Sequence, residues 1–503
     1  MAVASSHPEP PSETTSLLAE HDEHPVQGKS ATRTAYRVLL FACIIAVTLD
    51  FGSYLSVAPQ LQAFESIICQ RLHPELFADM PGEGLPLVAS PSCKSADVQG
   101  DLALLKGWMN TFDQLPGIIL ALPYGLMADR IGRRPVLAMS LLGIIMEEIA
   151  IRLICWYHTT IPPQAIWFTP LLQIIGGGSQ ISTSVAWTVI ADVFPVEKRS
   201  VAYFILSGAM LLSEIVAVPL SAWMMSSSIW IPWMLGLACE IGGAFVVFFL
   251  PETKPKSAED PVSEVAPDTT ERPEGSVVFT WSSLVRFARS QVTELNDFVC
   301  GHPSSIVVFF AFLASSYGIV AVPFMLQYVS QRFSWSLAEA SLLIAVKGVL
   351  NCLALVLILP MVSKLLGRYF APVKRDHKIA LGSACILIAG FGFMSLASHP
   401  ALFIVGVSLV ALGWGYYAAL RSVSSALVGQ SHIGLLNTTM ALAQGVGLMV
   451  SGPLLAGLFR TGMAWEGVWM GLPWMVGVIL FAAAGLAASC LRVPSSLGES
   501  RQK

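Results

Sequence analysis

Gly125-Leu-Met-Ala-Asp129-Arg130-Ile-Gly132-Arg133-Arg134 lies between two long apolar runs. A stretch of about ten residues this rich in Gly, Asp and Arg has no place in hydrocarbon, where unsatisfied polar groups cost several kcal/mol each. It reads as a short hydrophilic hinge where two membrane-spanning helices meet water.

Composition supports that reading. The chain has 503 residues, of which 54% are hydrophobic and 12% charged, and its mean hydropathy is +0.66. The charged share is about half that of an ordinary globular protein, too little to cover a soluble surface of this size. The charges gather in the N-terminal tail, one central segment and a few short loops, leaving long charge-poor stretches. A net charge of -4 argues against nucleic acid as a partner. The nine cysteines form no CxxC and no Cys/His cluster of metal-ligand spacing, so no metal site is expected. No P-loop ending in Gly-Lys-Ser/Thr is present, so neither ATP drive nor a nucleotide cofactor is expected.

Apolar helices are predicted at 38–59, 104–126, 135–157, 163–190, 201–224, 229–250, 304–329, 336–361, 379–398, 400–428, 434–459 and 467–491. Each is long enough to cross a hydrocarbon core of roughly 30 Å. Arg130, Arg133, Arg134, Lys198, Arg199, Lys364, Arg368, Lys374, Arg375 and Lys378 follow even-numbered runs. The short odd-numbered loops carry almost no cations beyond Arg332 and Arg460. By the positive-inside rule the even loops and both termini face the cytosol. The fold class is therefore an all-α membrane protein with twelve transmembrane helices, six on each side of residues 251–303. Residues 1–36 and 492–503 read as cytosolic tails, the first of them disordered; 37–250 and 304–491 read as two six-helix bundles. Lys254 to Ser276 is rich in Pro, Glu, Asp and Ser and should be disordered, whereas Leu284, Phe287, Ala288, Val292, Leu295, Phe298 and Val299 recur at helical spacing. They predict an amphipathic helix at about 281–299, lying along the inner membrane face or packed on the cytosolic helix ends. A weak internal repeat links the halves. Pro232-Trp-Met-Leu-Gly236 returns as Pro473-Trp-Met-Val-Gly477, Pro219 aligns with Pro453, and the hinge returns faintly as Lys364-Leu-Leu-Gly367-Arg368.

The hinge resembles the signature loop of the major facilitator superfamily, which keeps Gly, Asp and Gly-Arg-Arg at the positions of Gly125, Asp129, Gly132, Arg133 and Arg134. The resemblance covers roughly residues 37 to 491. It implies two pseudo-symmetric six-helix bundles, a substrate site at midplane between them, and a loop that locks the cytosolic ends when the cavity opens outward. Asp129 is then expected to face a helix N-terminus, and the arginines to pair with Asp192 and with Glu252 in Pro251-Glu-Thr-Lys254; the bland reading is that these charges only set topology. Cys69, Cys93-Lys94, Gln99, Gly107-Trp108, Phe112-Asp113, Leu122-Pro-Tyr-Gly125 and Ala191-Asp192-Val-Phe-Pro195 look like a filamentous-fungal branch of suspected exporters. Two positions depart from the wider family. Gln173 stands before Gly176-Gly-Gly178 where the family often has an arginine, and only Pro219 survives of the helix 5 motif of drug/proton antiporters, with Glu214 and Val218 near its glycine positions.

Charged residues predicted at membrane depth are functional candidates because a charge there is costly. Glu147, Glu148, Arg152 and Glu240 are among them; Glu148 and Arg152 are spaced to pair on one helix face. Asp50, Asp113 and Glu214 have no obvious local partner. A carboxylate that burial keeps from water can load and release a proton near neutral pH, so these three are the expected proton-coupling groups; satisfaction by Ser, Thr or Asn neighbours is the alternative. Lys347 and Arg421 are the central cations of the second half, able to attract an anion or to counter a carboxylate from the first half. Asn351 lies one turn from Lys347. Trp414 and Tyr417, with other aromatics, are candidates to stack a ring-bearing substrate. Cys69 and Cys93 share the one long non-cytosolic loop, either as a disulfide or as two free thiols. Glu13-Thr-Thr-Ser-Leu17-Leu18 resembles an acidic dileucine sorting signal. Asn437-Thr-Thr439 matches the glycosylation sequon but falls on the cytosolic side.

The expected function is secondary active transport of a small organic molecule by a monomer in the lipid bilayer, with protons as the coupling ion, rather than an enzymatic reaction. Proton-driven efflux of a secondary metabolite or xenobiotic ranks first and proton-coupled uptake of a nutrient or vitamin-like anion second. A non-transporting receptor or scaffold is the third reading, and the intact hinge counts against it. The plasma membrane is the expected location, with a vacuolar or endosomal membrane as the alternative.

Overall fold

A computed structural model describes residues 25–77, 91–253, 303–428 and 433–491. The expected amphipathic helix, the sorting signal, the central linker beyond Thr253, the C-terminal tail and the Asn437 side chain lie outside the described residues. Within them the chain is helical, with no strand. The helices are α1 Pro25–Leu72, α2 Ala96–Ile131, α3 Arg133–Trp156, α4 Gly178–Val193, α5 Val196–Met225 and α6 Trp230–Val246. After the linker come α7 Pro303–Phe333, α8 Leu337–Leu353, α9 Leu359–Leu366, α10 Pro372–Ser395, α11 Pro400–Gly413, α12 Gly415–Val428, α13 Ile433–Trp465 and α14 Leu472–Ser489.

Nine helices among the described residues are long and apolar enough to cross a membrane. The second, third and fourth predicted spans are not in that set, for a physical reason. Asn110, Asp113 and Gln114 dilute the hydropathy of α2, and Glu147, Glu148 and Arg152 interrupt α3. The fourth span was expected as one helix over 163–190. Instead a 3-10 segment, Pro163–Ile174, precedes α4, and the break falls on Gly176, Gly177 and Gly178 at φ of +95°, +78° and +68°. These are left-handed values that L side chains rarely adopt. A Cβ on Gly176 would also run into the Met139–Ser140 backbone of α3.

Proline sits inside α1, α2, α5, α7 and α13, as membrane helices tolerate when neighbours satisfy the freed carbonyls. The predicted spans 336–361 and 400–428 each contain a local irregularity: a π turn over Ala354–Ile358 joins α8 to α9, and Trp414 separates α11 from α12. Ser336 and Glu339 cap α8 reciprocally, with bonds of 3.1 Å to the Glu339 N–H and 2.9 Å to the Ser336 N–H.

α1 packs on α5 and α6, α3 on α4, α7 on α13 and α14, and α10 on α11 and α14. The broadest contacts joining the residues before 254 to those after 302 are α2 with α13 and α5 with α8, and α1 also touches α8 and α2 touches α7. The α2–α13 contact is close because small residues line it. A Cβ on Gly107 would stand 2.7 Å from the Gly452 carbonyl oxygen, and Thr111 Oγ1 donates to the Met449 carbonyl at 2.8 Å.

Candidate transport site

The hinge between α2 and α3 is a built cluster. Gly132 turns the chain at φ +109°. Arg133 reaches back one turn to Asp129, Nη1 to Oδ1 at 2.5 Å, and across to Asp192 at the end of α4, Nε to Oδ2 at 3.2 Å. Burial opposes the Arg133 charge, but the bonds and charges of Asp129 and Asp192 outweigh it and raise its pKa. Glu252 accepts from the backbone N–H groups of Arg133 and Arg134 at 2.8 and 3.1 Å, so its carboxylate caps the positive end of α3. Arg134 donates through Nη2 to the Phe248 carbonyl at 2.5 Å. The helix-terminus role expected of Asp129 therefore falls to Glu252, and Asp129 engages Arg133 instead. Gly125 stands in open space, with nothing within 4 Å of where its Cβ would lie.

The opposite end of α2, about 54 Å away along 36 residues, is tied to α7. Cys69 and Cys93 are joined by a disulfide. Lys94, the next residue, donates through Nζ to the Trp335 carbonyl at 2.6 Å and to that of Ser330 at 3.2 Å. Burial lowers the Lys94 pKa, with the Glu65 and Glu339 charges opposing. Gln327 donates to the Gln99 carbonyl at 2.6 Å. From Gly100 beside Arg460 to Ile118 beside Gly445, α2 and α13 run against each other.

Two of the cavities among the described residues hold predicted membrane-depth charges. The first, about 300 Å³, is lined by Asp50 and Ser53 of α1, Asp113 and Gln114 of α2, Glu147 and Glu148 of α3, Gln173, and Glu240 of α6. Glu147 accepts from the Gln173 side chain and from Thr169 Oγ1 at 3.3 Å, and Asp113 lines the same cavity. Arg152 satisfies Glu148 at 2.5 Å and donates further to Ser56 Oγ at 3.0 Å and the Trp233 carbonyl at 2.9 Å. Asp113, Gln114, Glu147 and Glu148, polar residues that weakened α2 and α3 as predicted spans, are thus walls of this cavity.

The second cavity, about 260 Å³, is lined by Tyr54, Lys347, Asn351 and Trp414 among apolar neighbours. Asn351 Oδ1 is buried with no partner. Tyr417 packs on Trp414 with ring centroids 4.9 Å apart; neither it nor Arg421 lines the cavity. Glu214 corrects the expectation of a carboxylate lacking a partner. Its Oε1 lies 2.9 Å from Lys347 Nζ, and the Tyr54 hydroxyl donates to its Oε2 at 3.3 Å. This buried contact ties α5 to α8, and the pairing of Lys347 with a first-half carboxylate is one of its two expected roles. Sequence reasoning did not select Tyr54, nor Glu147 as the partner of Gln173; only their residue types at membrane depth signalled them.

Residues 40–452 match the model of the Major Facilitator Superfamily. The chain belongs to that superfamily. This major facilitator is 32% identical over 485 residues to the MFS efflux pump atnC of Emericella nidulans, covering 94% of this chain and 90% of that protein. It is 29% identical to the efflux pump ustT of Aspergillus flavus, covering 91% and 89%. A solved D-xylose–proton symporter shares its fold, with a TM-score of 0.61 over 92% of this chain and 99% of the other at 12% identity. Family and helices make the protein a multi-pass membrane transporter of small molecules.

Proposed function

We propose that this facilitator exports a small organic molecule in exchange for protons, by alternating access between two six-helix bundles, 37–250 and 304–491, that together supply twelve spans. The observation that carries proton coupling is the gathering of the Asp50, Asp113, Glu147 and Glu240 carboxyls around the first cavity. Acids crowded together away from bulk water favour holding a proton over sharing charge. Asp50 lines the same cavity, and Glu214 sits where the halves meet. On this reading Asp50, Asp113 and Glu214 are the proton-coupling groups, while Lys347, Asn351 and Trp414 contact substrate. Efflux is supported by the relatives' names as efflux pumps. The positive-inside rule supports a cytosolic hinge, the side from which an exporter loads. Uptake of an anion loses its main support, since Glu214 neutralises Lys347.

The test is a deletion strain grown on a panel of toxins and nutrients, paired with flux into inside-out vesicles under an imposed pH gradient. Toxin sensitivity and acid-driven accumulation support the reading. Starvation without sensitivity, or flux indifferent to the gradient, overturns it.

A further inference from the structure

The first cavity has an unbalanced wall. Asp50, Asp113, Glu147, Glu148 and Glu240 line it, and no Lys, Arg or His does. Two cations lie behind it. Arg152 spends its guanidinium on Glu148, Ser56 and the Trp233 carbonyl. Lys106 donates to Gln60 Oε1 at 3.1 Å and sits against Met109 Sδ. Glu148 is therefore satisfied, and Glu147 accepts from Gln173 and Thr169. Asp113 Oδ1 lacks a hydrogen-bond partner among the described residues, and so does an oxygen of the more deeply buried Glu240. It is 3% exposed, it lines the cavity, and its Oε2 is buried with no hydrogen-bond partner. A buried carboxylate oxygen with no donor is costly to leave so. What the site lacks is a donor, and the surplus of acids favours one that carries positive charge.

Geometry also gives room for the rest of such a molecule. Asp50 faces the first cavity, and Tyr54, one helical turn along α1, faces the second with Trp414. A charged head in the first cavity leaves an aromatic body to reach rings in the second, where Lys347 is already paired to Glu214. We propose that the first cavity is the recognition site for the N–H-bearing head of a cationic aromatic substrate, with Glu240 as its charge partner and Asp50 beside it. This names a substrate class and rests on the export reading above.

The probe is ethidium, a permanent cation bearing two aromatic amines, added to purified full-length protein in detergent at neutral pH and followed by its fluorescence anisotropy. Saturable binding is expected, and the neutral dye Nile red and the anionic dye fluorescein should not displace it. Glu240→Gln should weaken binding at least tenfold while the protein still elutes as one monodisperse peak; Asp50→Asn gives a second, milder loss. Equal competition by the neutral or anionic dye overturns the inference, and so does a Glu240→Gln protein that binds ethidium unchanged. The dye series on the unaltered protein decides the question even if the variant fails to fold. Binding in detergent needs no gradient and no turnover, so a negative result here leaves the proton-coupled export reading to its own vesicle assay.

Discussion

Replacing Lys347 with Met would leave Glu214, 2% exposed, with only the Tyr54 hydroxyl at 3.3 Å in place of an ammonium at 2.9 Å. Removing one member of a buried pair costs about 3–5 kcal/mol because the other charge stays behind. An escape route sets the ceiling. A carboxyl group in water gives up about 4 kcal/mol to hold a proton at pH 7, so an orphaned Glu214 need lose no more than that before it neutralises itself. Lys347→Met should therefore lower stability by about 3–4 kcal/mol at neutral pH. Two further measurements separate this from lost packing. Adding Glu214→Gln to Lys347→Met removes the stranded charge and should recover more than half of the deficit. Acidifying from pH 7.5 to 5.5 should narrow the single variant's deficit, because protonation becomes about 1.4 kcal/mol cheaper per pH unit. The assay is reversible denaturation in mixed micelles, or thermal midpoints read by size-exclusion fluorescence. A double variant no more stable than Lys347→Met, or a deficit indifferent to pH, would refute a charge pair between α5 and α8.

Asp129→Ala frees Arg133 from one of its two carboxylates and should leave the protein in the membrane while abolishing transport; normal flux in vesicles would show the cluster sets topology only. Glu252→Ala strips the cap from two N–H groups of α3 and should cost about 1 kcal/mol, seen as a lowered thermal midpoint. Gly176→Ala combines a left-handed φ with backbone in the way, so folded protein recovered from membranes should fall sharply, whereas Gly242→Ala in open space should match the parent. Cys69→Ser opens a loop closed across 24 residues and should cost about 3 kcal/mol; an unchanged midpoint on reduction would show that the bridge adds no stability.

What could be read from the sequence divides by the range of the interaction. The hinge was legible because its chemistry is local and its polarity extreme. Asp129 and Arg133 are one helical turn apart, and charges there have nowhere to sit but at a membrane face. Glu148 and Arg152 follow the same rule. The repeat was legible for another reason: Trp233 and Trp474 are each 0% exposed, and Gly236 and Gly477 each meet a neighbouring helix closely, so packing demands the same residues in both halves. Glu214 with Lys347, and Glu147 with Gln173, were opaque. Nothing in either partner's neighbourhood encodes the other, and only helix packing brings them together.

The break at Gly176–Gly178 shows where hydropathy alone misleads. Residues 163–190 have the apolar length of a span, yet a 3-10 stretch and a left-handed turn replace its first half. The turn carries Gln173 to the cavity, where its amide holds Glu147. An arginine there would place a positive charge beside Glu147 and offset the acids around Glu240. Glutamine keeps the hydrogen bond and leaves the wall negative. On the proposed cation site, Gln173→Arg should therefore weaken ethidium binding as surely as Glu240→Gln does. If Gln173→Arg folds and binds the cation as well as the parent does, the link between wall charge and ligand charge fails, whatever the fate of proton coupling.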